Sequence, residues 1–114
     1  MPDFLGDNLI ILQPGDLKDE QFTFSVCSSA TANDGMLPYS TLISTAVVTC
    51  HDEWGTANTE IVVAQSTSLG TVVEVRLDYP ILAGPGNYHL EFNLTLDDGQ
   101  TLEFDFNRIY AKDV

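Results

Sequence analysis

Within the C-terminal stretch from Asn87 to Tyr110, apolar and polar residues alternate strictly from Tyr88 to Leu96 and again from Leu102 to Asn107. A repeat of two residues is typical of a strand with one buried face. The two alternating runs are separated by a polar segment that contains Asp-Asp-Gly, so they predict two antiparallel strands that share one apolar face. The apolar positions on both strands are even-numbered: Tyr88, Leu90, Phe92, Leu94, Leu96, Leu102, Phe104 and Phe106.

This parity also predicts the register of the hairpin, because directly opposed residues of an antiparallel pair point to the same face. A two-residue loop at Asp98-Gly99 would place carboxylates opposite apolar residues. The resulting slip would expose about five large apolar side chains, at roughly 1.5–3 kcal/mol each. We therefore predict a three-residue loop, Asp97-Asp98-Gly99, in which Gly99 adopts the left-handed conformation. That loop pairs Leu94 with Leu102, Phe92 with Phe104, and Leu90 with Phe106.

Five further segments have strand patterns, at Leu9–Leu12, Gln21–Cys27, Leu42–Cys50, Thr59–Gln65 and Thr71–Tyr79. Leu42–Cys50 is apolar on both faces, which predicts a central strand. Tyr88 follows a Gly/Pro corner in the manner of the tyrosine corner of immunoglobulin domains. We predict an all-β fold, an immunoglobulin/fibronectin-III-like sandwich of about seven antiparallel strands, with an open Greek-key barrel as the alternative. Residues 1–8 are predicted to be an N-terminal arm, and residues 9–114 a single domain.

Charge and composition narrow the classes of partner. The 114 residues include 17 Asp and Glu against 4 Lys and Arg, which gives a formal net charge of −13. This charge repels phosphate backbones and anionic membranes, so we expect neither nucleic-acid nor membrane binding. It favours a partner with a basic surface. No apolar run approaches the roughly 20 residues of a membrane helix. The first residues lack the basic start and long apolar stretch of a signal peptide, so we expect no secretion, and we expect Cys27 and Cys50 to be free thiols.

The sequence offers no constellation typical of catalysis. His51 and His89 are predicted to lie apart, with His89 on the solvated face of a strand. The acidic loop residues lack the number and spacing of calcium ligands. No serine or cysteine stands in a nucleophile elbow, and no glycine-rich turn suits a phosphate. We therefore expect no enzyme, no cofactor and no metal site.

Several apolar residues in connections and on the last strand suggest contacts with a partner. The connection Ser28–Thr41 contains Met36, Leu37 and Tyr39, which either cap one end of the sandwich or contact another protein. The tryptophan is either a lid on the core edge or a binding anchor. Ile109, near the end of the last strand, is predicted to face outward. The candidate partner-contact residues are Met36, Leu37, Tyr39, Trp54 and Ile109.

The region from Leu42 to Tyr110 resembles small immunoglobulin-like structural proteins of tailed bacteriophages. The resemblance is carried by STAVVTC, TEIVVAQSTSLGTVVEVRL and NYHLEFNLTLDDGQTLEFDFNRIY, which are separated by a polar loop and a Gly/Pro corner. It implies a virion protein of the tail or fibre adaptor, neck or head decoration type, assembled in the host cytoplasm. It further implies several copies in a symmetric assembly, with other virion proteins as partners and no catalytic residues.

A second hypothesis is a carbohydrate- or protein-binding sandwich of a bacterial surface system. This hypothesis predicts an exposed aromatic patch formed by Trp54, Tyr39 and Tyr79.

Overall fold

The computed structural model describes residues 3–4, 9–52, 62–68, 70–79 and 85–112, and this part of the chain is all β. It contains no helix that is long and apolar enough to cross a bilayer. The strands in chain order are β1 (Asp3–Phe4), β2 (Ile10–Leu12), β3 (Leu17–Thr23), β4 (Ile43–Asp52), β5 (Val62–Ser68), β6 (Val72–Asp78), β7 (Gly86–Leu96) and β8 (Thr101–Ala111).

The strands form two sheets. The first has the order β1-β8-β7-β4, with β2 also paired to β8, and the second has the order β3-β6-β5. The strands β1 and β2 run parallel to β8, and the other pairs are antiparallel. Two residues of the predicted N-terminal arm, Asp3 and Phe4, are therefore part of the first sheet.

The β7–β8 hairpin has the register that the parity of its apolar residues predicts. Leu94 lies opposite Leu102, and Phe92 lies opposite Phe104. The turn closes with a hydrogen bond from the Gly99 amide to the Leu96 carbonyl (3.0 Å), and Gly99 has a φ of +91°. The prediction of a three-residue loop with a left-handed glycine is confirmed.

The even-numbered side chains of the hairpin pack against the second sheet through aromatic rings. Phe22 of β3 lies with its ring centroid 4.8 Å from that of Phe92 and 5.1 Å from that of Phe106. Phe24, directly after β3, contacts Phe104 at 5.3 Å in an edge-on geometry. Tilted and edge-on ring pairs such as these are favoured by the aromatic quadrupole. The core therefore lies between the two sheets.

Two predictions about individual strands are wrong. The strand β4 is not central: within the described residues it forms the edge of the first sheet, and Val47 on its outer face is 53% exposed. Its β-branched residues lie on both faces, but only those on the inner face, such as Val48, are buried. The strand β3 begins earlier than predicted, at Leu17, and ends earlier, at Thr23.

A β-bulge near the end of β8 reverses the predicted orientation of Ile109. The register changes between the pair Leu90–Phe106 and the pair Tyr88–Ile109, so that both Asn107 and Arg108 lie opposite His89. The extra residue turns Ile109 inward, where it is 1% exposed. The prediction that Ile109 faces outward is therefore wrong, and it cannot be a partner contact.

The connection between β3 and β4 folds back along the end of β3. Leu37 donates its amide to the Ser25 carbonyl (2.8 Å) and accepts a hydrogen bond from the Cys27 amide (3.0 Å). Asp34 accepts hydrogen bonds from the amide and the hydroxyl of Ser28. Leu37 is fully buried, and Met36 packs against the core. These two residues therefore cap the core.

Candidate functional site

The outer face of the first sheet carries two histidines side by side. His51 of β4 lies directly opposite His89 of β7. Their rings are stacked, with centroids 5.1 Å apart and planes at 13°. The prediction that they lie apart is wrong, because β4 does not end at Cys50: it continues through Asp52, and His51 thereby becomes part of the ladder with β7.

A carboxylate completes this group. Glu91 is the next outward residue on β7, and its Oε2 lies 3.2 Å from Nε2 of His51. The Thr49 hydroxyl lies 3.0 Å from the same nitrogen. The side chains of His51 and Glu91 are 19% and 28% exposed, so water reaches them only in part. We refer to His51, His89 and Glu91 as the histidine–glutamate cluster.

Further carboxylates continue the row across β8. Asp105 lies opposite Glu91 in the ladder, and Glu103 is the outward residue before it. Oxygen atoms of Glu91, Glu103 and Asp105 lie within 4.8 Å of one another. Partial burial raises the pKa of Glu91, the two neighbouring carboxylates raise it further, and His51 acts in the opposite direction. The row therefore attracts positive charge.

The inner face behind the cluster carries a cysteine whose thiol is not activated. Cys50, next to His51 in sequence, points into the core and is 2% exposed. Burial, with a contribution from Asp52, raises the pKa of its thiol to about 12. A thiol with this pKa is protonated at neutral pH and is a poor nucleophile. The chemistry of this region therefore lies on the outer face.

The candidate partner-contact residues lie in different environments. Among those that the structure describes, Tyr39 is 51% exposed, whereas Leu37 and Ile109 are buried and Met36 is half-buried. Trp54 lies outside the described residues. Tyr79 is 1% exposed, and its hydroxyl donates to the Lys112 carbonyl (2.9 Å). The predicted aromatic patch therefore cannot include Tyr79.

Two open grooves meet at Leu102, near the turn between β7 and β8. One has a volume of about 300 Å³ and lies on the outer face of the first sheet. The other has a volume of about 250 Å³ and lies against the connection between β3 and β4. The first is lined by Val47, Asn93, Leu94, Thr95, Thr101, Leu102 and Glu103. The second is lined by Cys27, Ala30, Ala32, Asn33, Gly35, Met36, Pro38, Tyr39 and Leu102.

The edge of the first sheet formed by β2, opposite the edge formed by β4, is partly protected. Ile11 of β2 and its register partner Tyr110 of β8 are 38% and 40% exposed. The ammonium group of Lys18 donates a hydrogen bond to the Ile11 carbonyl (2.8 Å). A lysine beside an edge strand disfavours pairing with another strand. This edge is therefore a poorer contact surface than the region around Leu102.

Comparison with known proteins gives a likeness in fold alone. No family model matches the chain, and no curated protein does. Among solved structures, a family 123 glycoside hydrolase from Clostridium perfringens, described for its hydrolysis of glycolipid glycans, aligns with a TM-score of 0.51 at 13% sequence identity. The alignment covers 91% of this chain and 22% of the hydrolase chain. The chain therefore spans less than a quarter of that enzyme's length.

Proposed function

We propose that this chain is a non-enzymatic, immunoglobulin-like interaction module that serves as a structural protein in the virion of a tailed bacteriophage. The resemblance of the segment from Leu42 to Tyr110 to such phage proteins suggests the virion role. The observation that carries the interaction role is the pair of grooves that meet at Leu102. They combine exposed apolar groups with polar rims, as protein contact sites do.

The strand order supports the immunoglobulin-like part of the proposal. Constant-type immunoglobulin domains place their second, fifth and fourth strands in one sheet and their third, sixth and seventh in the other. Here β3, β6 and β5 form one sheet, and β4, β7 and β8 are neighbours in the other. When β2 is counted as the first strand, β3 and β7 correspond to the second and sixth strands, which antibody domains join by a disulfide. Here Phe22 of β3 and Phe92 of β7 make a ring contact between these two strands. Tyr88, near the start of β7, is buried as a corner tyrosine would be.

The proposed contact surface consists of Tyr39, Val47 and Leu102. Tyr39 and Val47 are each about half exposed, and Leu102 lies between the two grooves. Tyrosine is enriched in protein interfaces because its ring buries a large area with few rotatable bonds. With a net charge of −13 on the chain, the best-matched partner presents an apolar centre within a basic rim.

The open shape of the grooves supports a non-enzymatic role. Small-molecule sites typically bury most of the ligand surface in a cleft. Both grooves at Leu102 are open to solvent, and the histidine–glutamate cluster lies on the face of a sheet. A flat face suits contact with a macromolecule better than enclosure of a substrate.

The virion role is tested by mass spectrometry of particles purified from the phage that encodes this chain. The chain should be found in stoichiometric amounts relative to another virion protein. In a phage that lacks the gene, supplied wild-type chain should be incorporated, whereas Val47→Asp and Tyr39→Asp variants should be depleted from particles. Leu17→Asp is the matched control, because Leu17 is 58% exposed on the other sheet. Particles that never contain the wild-type chain would refute the proposal.

A second candidate is a carbohydrate-binding sandwich of a bacterial surface system. It is favoured by the likeness to a solved structure whose described activity is glycan hydrolysis, since the matched part is only 22% of that chain. Of the three aromatic residues of the predicted patch, Tyr39 is exposed, Tyr79 is buried, and Trp54 lies outside the described residues. The purified chain should then bind glycans on an array and lose that binding in the Trp54→Ala variant. Absence of any glycan binding by the wild-type chain would exclude this candidate.

A further inference from the structure

The histidine–glutamate cluster has the composition of a metal centre. Nitrogen atoms of His51 and His89 and a carboxylate oxygen of Glu91 lie within 4.8 Å of one another. Two imidazoles and one carboxylate are a ligand set that binds zinc in proteins and leaves a fourth position open. We propose that these three residues bind a divalent transition-metal ion, best represented by Zn²⁺.

The distances in the cluster suit a single small ion. Zinc bonds to nitrogen and oxygen are about 2.0–2.2 Å long, so the ligand atoms of a tetrahedral site lie about 3.4 Å apart. Nε2 of His51 and Oε2 of Glu91 are already 3.2 Å apart. All the ligand atoms lie within 4.8 Å of one another. The two imidazoles are stacked nearly parallel, so binding one ion requires their rings to turn until both nitrogen lone pairs point at it.

The backbone holds the three residues in a fixed relation. His51 and His89 are opposed in the β4–β7 ladder, and Glu91 follows His89 by two residues on the same face. Cross-strand neighbours have Cβ atoms about 4.5–5.5 Å apart. The ordering of the ligands is therefore achieved when the sheet forms, which lowers the entropic cost of binding an ion.

The surroundings favour a cation and select its class. Glu103 and Asp105 place two more carboxylates beside Glu91, where they add negative charge and can orient it. Imidazole ligands favour zinc, copper and nickel over calcium and magnesium, which prefer oxygen ligands. The bulge at Asn107 and Arg108 lies directly opposite His89. Bulges are frequent beside functional sites because they change the local aim of side chains.

The proposal is tested with the full chain, purified without a polyhistidine tag and freed of metal. Titration calorimetry with Zn²⁺ should give one ion per chain. The chain contains only two histidines, so nuclear magnetic resonance of its imidazoles reports on both ligands at once. Zn²⁺ should shift the ring signals of His51 and His89 together, with saturation at one equivalent.

Variants separate this site from the acidic row. His51→Ala and His89→Ala should each weaken Zn²⁺ binding by at least about tenfold, since each removes a ligand from a three-ligand site. Glu74→Gln, on the other sheet, is the control and should bind as the wild type does. Equal Zn²⁺ affinity in the wild type and a His51→Ala/His89→Ala double variant would overturn the proposal, because the acidic residues would then account for the binding. Imidazole signals of the wild type that do not respond to Zn²⁺ would overturn it as well, without reliance on any variant.

Discussion

The two faces of the β7–β8 hairpin are built from one alternating pattern, yet they differ in what fixes their neighbours. On the inner face, Phe92 and Phe104 oppose each other within the hairpin and then meet the second sheet. On the outer face, His89 and Glu91 acquire their decisive neighbour, His51, from a strand that precedes them by about 40 residues. The alternation determines which side chains share a face. It does not determine which distant strand is placed beside them.

The largest expected difference between the two faces is in stability. Phe92→Ala should lower the free energy of unfolding by about 3–5 kcal/mol, because it removes a ring that contacts Phe22 and Phe24 in the core. Asn93→Ala, one residue further on the exposed face, should change it by less than about 0.5 kcal/mol. Urea denaturation monitored by circular dichroism measures both. Equal losses would contradict the assignment of the two faces.

Single-residue deletions in β8 test the bulge that restores the inner face after Phe106. Deletion of Asp105 reverses the orientation of Phe106, which should cost at least roughly 1.5–3 kcal/mol for that side chain alone. Deletion of Asn107 removes the extra residue of the bulge and leaves Ile109 pointing inward. The Asn107 deletion should therefore be the more stable of the two proteins by thermal denaturation. The reverse order would show that the bulge is misplaced.

Substitution of Gly99, in the turn that joins β7 and β8, should have a smaller effect on stability. An added Cβ at Gly99 meets no atom within 4 Å, so Gly99→Ala carries a purely conformational penalty from its φ of +91°. Forcing a non-glycine residue into a left-handed conformation costs about 1–2 kcal/mol. Gly99→Asn should lose less, because asparagine tolerates that region better. Chemical denaturation distinguishes the two, and identical stability of Gly99→Ala and wild type would argue against the left-handed glycine.

The smallest expected effect is on the outer face, and its sign depends on pH. The pKa of Glu91 is raised in the folded chain, so the protonated form favours the fold. That contribution is present at low pH and is lost as the pH rises through the raised pKa. Glu91→Gln should therefore stabilise the metal-free protein at neutral pH, and its advantage should shrink as the pH falls and the wild-type carboxyl takes up its proton. Denaturation between about pH 7 and pH 4, with a chelator present, measures this difference, and an advantage that grows at low pH would contradict it.

The candidate site was only partly predictable. The outward orientation of His89 and Glu91 follows from their odd-numbered positions in β7. The contribution of His51 does not, because its segment reads equally well as the start of a loop. A continuation of the β4 alternation from Val48 and Cys50 to Asp52 would have placed His51 on the outer face. Its position opposite His89 still requires the register between β4 and β7.

The sequence by itself determined the all-β class, the register of the β7–β8 hairpin and the left-handed Gly99. These features depend on residues close in the chain, where period-two burial and turn geometry leave one arrangement that keeps apolar side chains together. Only the tertiary structure decided that β4 is an edge strand, that Leu37 and Ile109 are buried, and that His51 lies against His89. Each of these depends on how segments far apart in sequence pair and pack, and the alternation within any one segment is compatible with several such pairings.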